Sequence, residues 1–225
     1  WGPHPDHESV QLANAIFIGN ATFLGSNQGS LTARVGGSVA LASTEWAQSA
    51  GGSQAQNSSQ RTSGIYAKGH NIAVYHHVSI RIVPRNQEYW RTQRPADFVN
   101  LDENGRYFAT IGAGPVPSGC GGVMFGDVNR DRDVKASATS LELLQYSPAQ
   151  EDALIELLFT LNSNYPDDLT YECFPDAGTQ EYNSNSYAAG LLDAAQIPRP
   201  SFPYRYSRIY PGWLKPVPAN KFAQQ

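Results

Sequence analysis

Charge is scarce in this chain. Only 16% of the 225 residues are Asp, Glu, Lys or Arg, so Ser, Asn, Gln, Thr and Gly must supply much of the polar surface. A basic stripe is also missing. The net charge is -4, and the basic residues are scattered, with one loose group at Arg199, Arg205 and Arg208. Binding phosphates takes clustered Lys and Arg, so nucleic acid is not expected as a partner. No run is long and apolar enough for a transmembrane helix, so no membrane partner is expected either. Phosphate-cradling glycine loops, a dinucleotide fingerprint and a Gly-x-Ser-x-Gly elbow are all absent. Gly112-Ala113-Gly114-Pro115 is too short and proline-bound to serve as such a loop. No cofactor is therefore expected, which leaves cofactor-free hydrolysis or binding.

Cysteine is nearly absent too, with only Cys120 and Cys173 present. Their separation matches no zinc motif. In an oxidising compartment the two form one disulfide that closes a long loop; the alternative is a pair of unbridged thiols. Two glycosylation sequons begin at Asn20 and Asn57. With the chain opening on Trp1, these features point to a processed, secreted, extracellular protein or a domain cut from a longer one.

What remains is a hydrophobic fraction of 40%, enough for a folded core. The expected organisation is a single catalytic domain over residues 1–225. Residues 30–43 read as a hairpin turning at Gly36-Gly37. Residues 47–64 are small, polar and aperiodic, and read as a flexible surface loop. Strands are expected within 71–84, where Val78, Ile80 and Ile82 alternate with Ser79 and Arg81, and over 106–114 and 121–128. A helix starts after Ser147, with Pro148 in its first turn and Gln150 closing a capping box; Leu154, Leu157, Leu158 and Leu161 form its apolar stripe. Residues 198–225 read as an extended, proline-rich C-terminal arm packed by its aromatics, which could also line a sugar-binding groove.

Chemistry concentrates in two places. EYNSNSYAAGLLDAA, residues 181–195, is a polar cap running into a helix. Asn183 or Asn185 caps the first turn, and Ser184 sits where unpaired amides favour a nucleophile or a developing anion. His76 and His77 lead into the strand that contains Val78, which fixes an imidazole at a sheet edge as a ready general base.

Joined in sequence order, a strand-borne histidine followed by Asn-Ser-x-Ser-aromatic at a helix start resembles the circularly permuted papain-like hydrolases, relatives of the NlpC-type cell-wall enzymes. The matching residues are 75–84 and 182–192. The resemblance implies an α+β fold with a mostly antiparallel sheet and two main helices. It also implies bacterial cell-wall glycan or peptide as substrate, and it leaves room for a further cell-wall-binding domain in a full-length chain. The family's cysteine falls on Ser184, so its thiolate chemistry does not transfer.

Three readings follow. A carboxylate-driven muramidase, the leading one, needs an acid and a partner carboxylate across a cleft. Glu181 is the preferred acid, with Asp176 and Glu88 as further acidic candidates and Tyr182, Asn183 and Asn185 as substrate contacts. An amidase or peptidase would use Ser184 with His77 as base. A non-catalytic glycan-binding module or secreted effector would use the same surface without chemistry. Residues 126–144 imitate a calcium loop through Asp127, Asn129, Asp131 and Asp133. Arg132 stands where that loop wants glycine and Ala138 where it wants an acid, so no metal is expected.

Overall fold

A computed structural model describes residues 62–72, 75–175, 178–202 and 210–223, together with four N-terminal strands. The chain forms two compact units, 1–57 and 58–225, whose boundary falls inside the 47–64 loop. In the first unit β1 (Asn14–Ile18), β2 (Ala21–Gly25), β3 (Ser30–Val35) and β4 (Ser38–Ser43) pair antiparallel in sequential order. The expected hairpin is β3 with β4, and Val35 pairs with Ser38 across Gly36-Gly37.

The second unit is α+β. Six antiparallel strands run in the order β10–β5–β6–β8–β7, with β9 also paired to β8. They are β5 (Gly64–Ile72), β6 (Tyr75–Val83), β7 (Asn100–Leu101), β8 (Tyr107–Val116), β9 (Val123–Val128) and β10 (Ser140–Leu143). The helices are α1 (Gln87–Gln93), α2 (Asp131–Lys135), α3 (Glu151–Asn164) and α4 (Ser184–Ala194).

Strand alternation splits the central sheet into two unlike faces. Ile65 and Ala67 of β5, Val78, Ile80 and Ile82 of β6, and Ala109, Ile111 and Ala113 of β8 form the apolar face and are fully buried. The Tyr187 ring of α4 lies over Gly126, whose register partner Ala113 belongs to that face. The opposite face carries Lys68, His70, His77, Ser79, Arg81 and Thr110, and these polar side chains are buried as well.

The first turn of α3 follows the sequence signal. Gln150 Oε1 accepts hydrogen bonds from the Ser147 backbone N (3.1 Å) and Oγ (2.8 Å), and a 3-10 turn leads into the helix. Its buried stripe is wider than expected. Ile155 and Phe159 join Leu157, Leu158 and Leu161, while Leu154 is only half-buried.

Cys120 and Cys173 form a disulfide that closes a loop of 53 residues. It clamps the turn after β8 to the segment leading into α4, where Gly121 N donates to Tyr171 O (2.8 Å) and Tyr171 N to Gly122 O (2.7 Å). The described C-terminal residues, 210–223, fold in turns and a short 3-10 helix rather than as an extended arm. They bury Tyr210, Trp213, Val217 and Phe222. Asn20 and Asn57 lie outside the described residues, as does most of the 47–64 loop, while Gly64 opens β5.

Reducing the disulfide is expected to lower stability by about 4 kcal/mol, the chain-entropy term for a loop of this length. Denaturant titrations with and without reductant measure it, and an unmoved midpoint contradicts it.

Candidate functional site

β8 pairs with β6 only from residue 80 to 82. Upstream, the outward peptide groups of β6 have no strand beside them, and the first turn of α4 takes that place. Asn185 Oδ1 accepts from Val78 N (2.7 Å), and its Nδ2 donates to His76 O (2.9 Å) and Pro211 O (2.9 Å). One carboxamide thus offers β6 the acceptor and donor that a neighbouring peptide would offer.

The cap of α4 is Asn183. Its Oδ1 accepts from Asn185 N (3.0 Å), Ser186 N (3.0 Å) and Ser186 Oγ (3.3 Å), while its Nδ2 donates to Cys173 O (3.2 Å) and Pro211 O (2.9 Å). Two first-turn amides are therefore already filled. The Ser184 amide is a first-turn donor for which the described residues supply no partner, and the Ser184 hydroxyl makes no hydrogen bond to them either.

His77 lies across the β5–β6 ladder from His70, with ring centroids 4.8 Å apart. Asp133 of α2 comes down onto the same polar face, and its Oδ1 lies 2.7 Å from His77 Nε2. The three residues are 1%, 4% and 0% exposed for His70, His77 and Asp133. Asp133 reaches the sheet because residue 112 is glycine: a Cβ there would stand 2.4 Å from Asp133 Oδ2. Lys68 Nζ donates to Asp133 O at 2.5 Å, and Arg130 Nη1 lies 3.8 Å from Oδ2.

Burial acts to raise the Asp133 carboxyl, but the adjacent His77, Arg130 and His70 outweigh it and hold it below the usual carboxylate range. Burial pushes the His70 imidazole down to about 3, with His77 adding to the shift. His70 Nδ1 and Nε2, His77 Nε2 and both Asp133 carboxylate oxygens are sealed from solvent without an aligned hydrogen bond. His77 Nδ1 is not sealed in this way.

The predicted site residues separate into three groups. Asn183, Ser184 and Asn185 lie at the start of α4, where Asn185 docks on the β6 backbone at Val78 and His76. The His77 side chain lies on the polar face with His70 and Asp133, and no hydrogen bond joins Ser184 to it among the described residues. Asn183 and Asn185, predicted as substrate contacts, spend their carboxamides on capping and docking. Tyr182 is buried, with Lys215 Nζ 5.0 Å from its ring centroid. Glu181 precedes the cap, half-buried, and its carbonyl accepts from Lys215 Nζ at 2.8 Å.

Glu88 is exposed in α1, beyond the far end of β6. Six strand residues separate His77 from Val83, about 20 Å. Asp176 lies outside the described residues. Two surface hollows, of about 600 and 370 Å³, lie beside α1–α3 and beside Arg81–Phe108, and neither is lined by His77, Ser184 or Glu181.

The calcium-like loop does not converge on a cation. Asp127 Oδ1 accepts from Val128 N, Asn129 Oδ1 from Thr110 N, Asp131 pairs with Lys135, and Asp133 turns to His77. The sequence pattern gives His70 no role and places Asp133 only in the calcium-like run. The signals were His70 on the face of Lys68 in an alternating strand, and an acid spaced from glycines that permit close approach.

Comparison with protein families, curated proteins and solved structures finds no match. The papain-like resemblance therefore rests on residues 75–84 and 182–192 alone.

Asn185→Ala is expected to destabilise the fold by about 2–4 kcal/mol, because it leaves Val78 N–H and His76 C=O buried and unmatched. Asn185→Asp keeps an acceptor for Val78 but turns a buried carboxylate oxygen toward the His76 and Pro211 carbonyls, so it should destabilise at least as much. Urea titration reads both, and a loss below about 1 kcal/mol for the alanine variant contradicts the docking role.

Proposed function

We propose that this chain is a secreted hydrolase of the acyl-transfer type, acting on an amide or peptide bond of bacterial cell-wall peptidoglycan in a permuted papain-like arrangement. The observation that carries this reading is the Asn185 bridge, which brings the turn bearing Ser184 to the strand bearing His77. His77 in turn is held by a buried carboxylate. A nucleophile, a base and an orienting acid from α4, β6 and α2 are the parts that such chemistry needs.

Ser184 Oγ attacks the substrate carbonyl while His77 Nδ1 accepts its proton. Asp133, at His77 Nε2, fixes the tautomer that leaves Nδ1 as acceptor and stabilises the imidazolium. The Ser184 amide, at the positive end of α4, donates to the oxyanion. The protonated His77 returns its proton to the departing amine, and water then hydrolyses the acyl-serine by the same route. The substrate class comes from the family resemblance, and the disulfide fits an oxidising, extracellular setting.

The muramidase reading keeps Glu181, which precedes the cap of α4. It ranks second because Glu88 lies at the opposite end of β6 and cannot face Glu181 across the site.

The test is clearing of a bacterial cell-wall suspension, scored for new free amines and new reducing ends. Ser184→Ala and His77→Ala should each reduce amine release by at least about a hundredfold, while Glu181→Gln stays within a few-fold. Reducing ends in place of amines, abolished by Glu181→Gln and spared by Ser184→Ala, would falsify the acyl-transfer reading in favour of the muramidase.

A further inference from the structure

The buried polar face of the sheet holds more than a histidine–carboxylate pair. His70, His77 and Asp133 each present a ligand atom, and these atoms lie within 4.8 Å of one another. We infer that these three side chains form a binding site for a divalent first-row transition-metal ion, with Zn²⁺ the best fit to two imidazoles and one carboxylate.

Three observations support it. First, the cluster is sealed and under-satisfied. Five nitrogen and oxygen atoms are sealed from solvent without an aligned hydrogen bond, His77 Nε2 and Asp133 Oδ1 among them at 2.7 Å from each other. One cation contacting a nitrogen of His70, His77 Nε2 and Asp133 Oδ1 relieves three of them at once. Second, the donor set matches the metal: neutral imidazole nitrogens with one carboxylate oxygen make a three-ligand zinc site that keeps a fourth position for water.

Third, the scaffold is rigid where a site needs it. His70 and His77 are register partners on paired strands, and Asp133 is held by Lys68 on its carbonyl and by Arg130 beside Oδ2, which leaves Oδ1 toward the histidines. Zinc with ligands at ~2.0–2.2 Å spaces them about 3.3–3.6 Å apart. For a cation to sit between them, the 2.7 Å His77–Asp133 contact must widen and the His70 ligand atom, within 4.8 Å of the others, must come closer. A cation on His77 Nε2 leaves the hydrogen on Nδ1 and so excludes the general-base role proposed above while it is bound; the binding test does not measure activity and stands apart from the hydrolase reading.

The full chain, stripped with chelator and dialysed, is titrated with ZnCl₂ in a calorimeter, and the bound metal is counted after gel filtration. One Zn²⁺ per chain is expected. His70→Ala, His77→Ala and Asp133→Ala should each weaken binding by about a hundredfold or more, since even outer-shell partners of a metal contribute 10–100-fold. His76→Ala and the His4→Ala/His7→Ala double variant, which alter the remaining histidines, should leave affinity unchanged.

Where a cluster variant does not fold, the wild-type chain loaded with Co²⁺ decides. Paramagnetically shifted imidazole signals from His70 and His77 support the site; signals confined to His4, His7 or His76 overturn it. A natively folded wild-type chain that retains no stoichiometric metal also overturns it, as does binding that survives all three cluster substitutions.

Discussion

The carboxamide of Asn185 stands in for a missing strand. β6 keeps β8 as a neighbour for only part of its length, and past that point its outward peptide groups have no strand partner among the described residues. Most buried backbone groups must be paired, so an edge of this kind needs a substitute. A helix cannot lend its own peptides, because they are used along its axis. A side-chain amide at its second position can, since it carries the same acceptor and donor pair. The Asn183 cap, the Pro211 carbonyl and the disulfide all converge on that turn. Each restrains the turn from a different part of the chain.

The second constraint is that the sheet buries both faces, one apolar throughout and the other mixing Tyr66, Val83 and Phe108 with polar side chains. Burying a polar group without a partner is unfavourable by a few kcal/mol, and a domain is stable by only about 5–15 kcal/mol in total. Ser79, Thr110, two histidines and an aspartate share one buried layer in which several polar atoms lack an aligned hydrogen bond to the protein. Gly112 and Gly114 make the layer accessible to α2. A Cβ at Gly112 would collide with Asp133 and one at Gly114 with Arg130, whose guanidinium also donates to Ala113 O. The short glycine pair is a passage for two charged side chains rather than a phosphate loop.

Local signals in the sequence were legible because they depend on neighbours in the chain. Ser147 and Gln150 announce the start of α3, Asn183 caps α4, and the alternation of Val78, Ile80 and Ile82 marks β6. Two double glycines illustrate the limit: Gly36-Gly37 reads correctly as a hairpin turn, while Gly51-Gly52 only adds to a polar tract. β5 was missed because its polar positions, Lys68 and His70, look like a solvated face when they are in fact buried. Asp133 was misread for a similar reason. Four alternating acids and amides suggest convergence on one ion, yet α2 begins inside the run and sends each side chain elsewhere. The pairing of His77 with an acid 56 positions away is a product of topology, and no local pattern encodes it.

The orientation of the His77 ring links the two chemistries drawn from this layer. In the acyl-transfer reading, Asp133 at Nε2 keeps the hydrogen there and leaves Nδ1 a lone pair, with the His70 ring 4.8 Å away. With a cation on Nε2, the hydrogen moves to Nδ1 and the same ring can only donate. The buried side of the imidazole therefore dictates what its open side can do. Asp133 reaches this layer past Gly112, and the upstream edge of β6 is docked to α4 through Asn185, so the surroundings of His77 depend on these two positions.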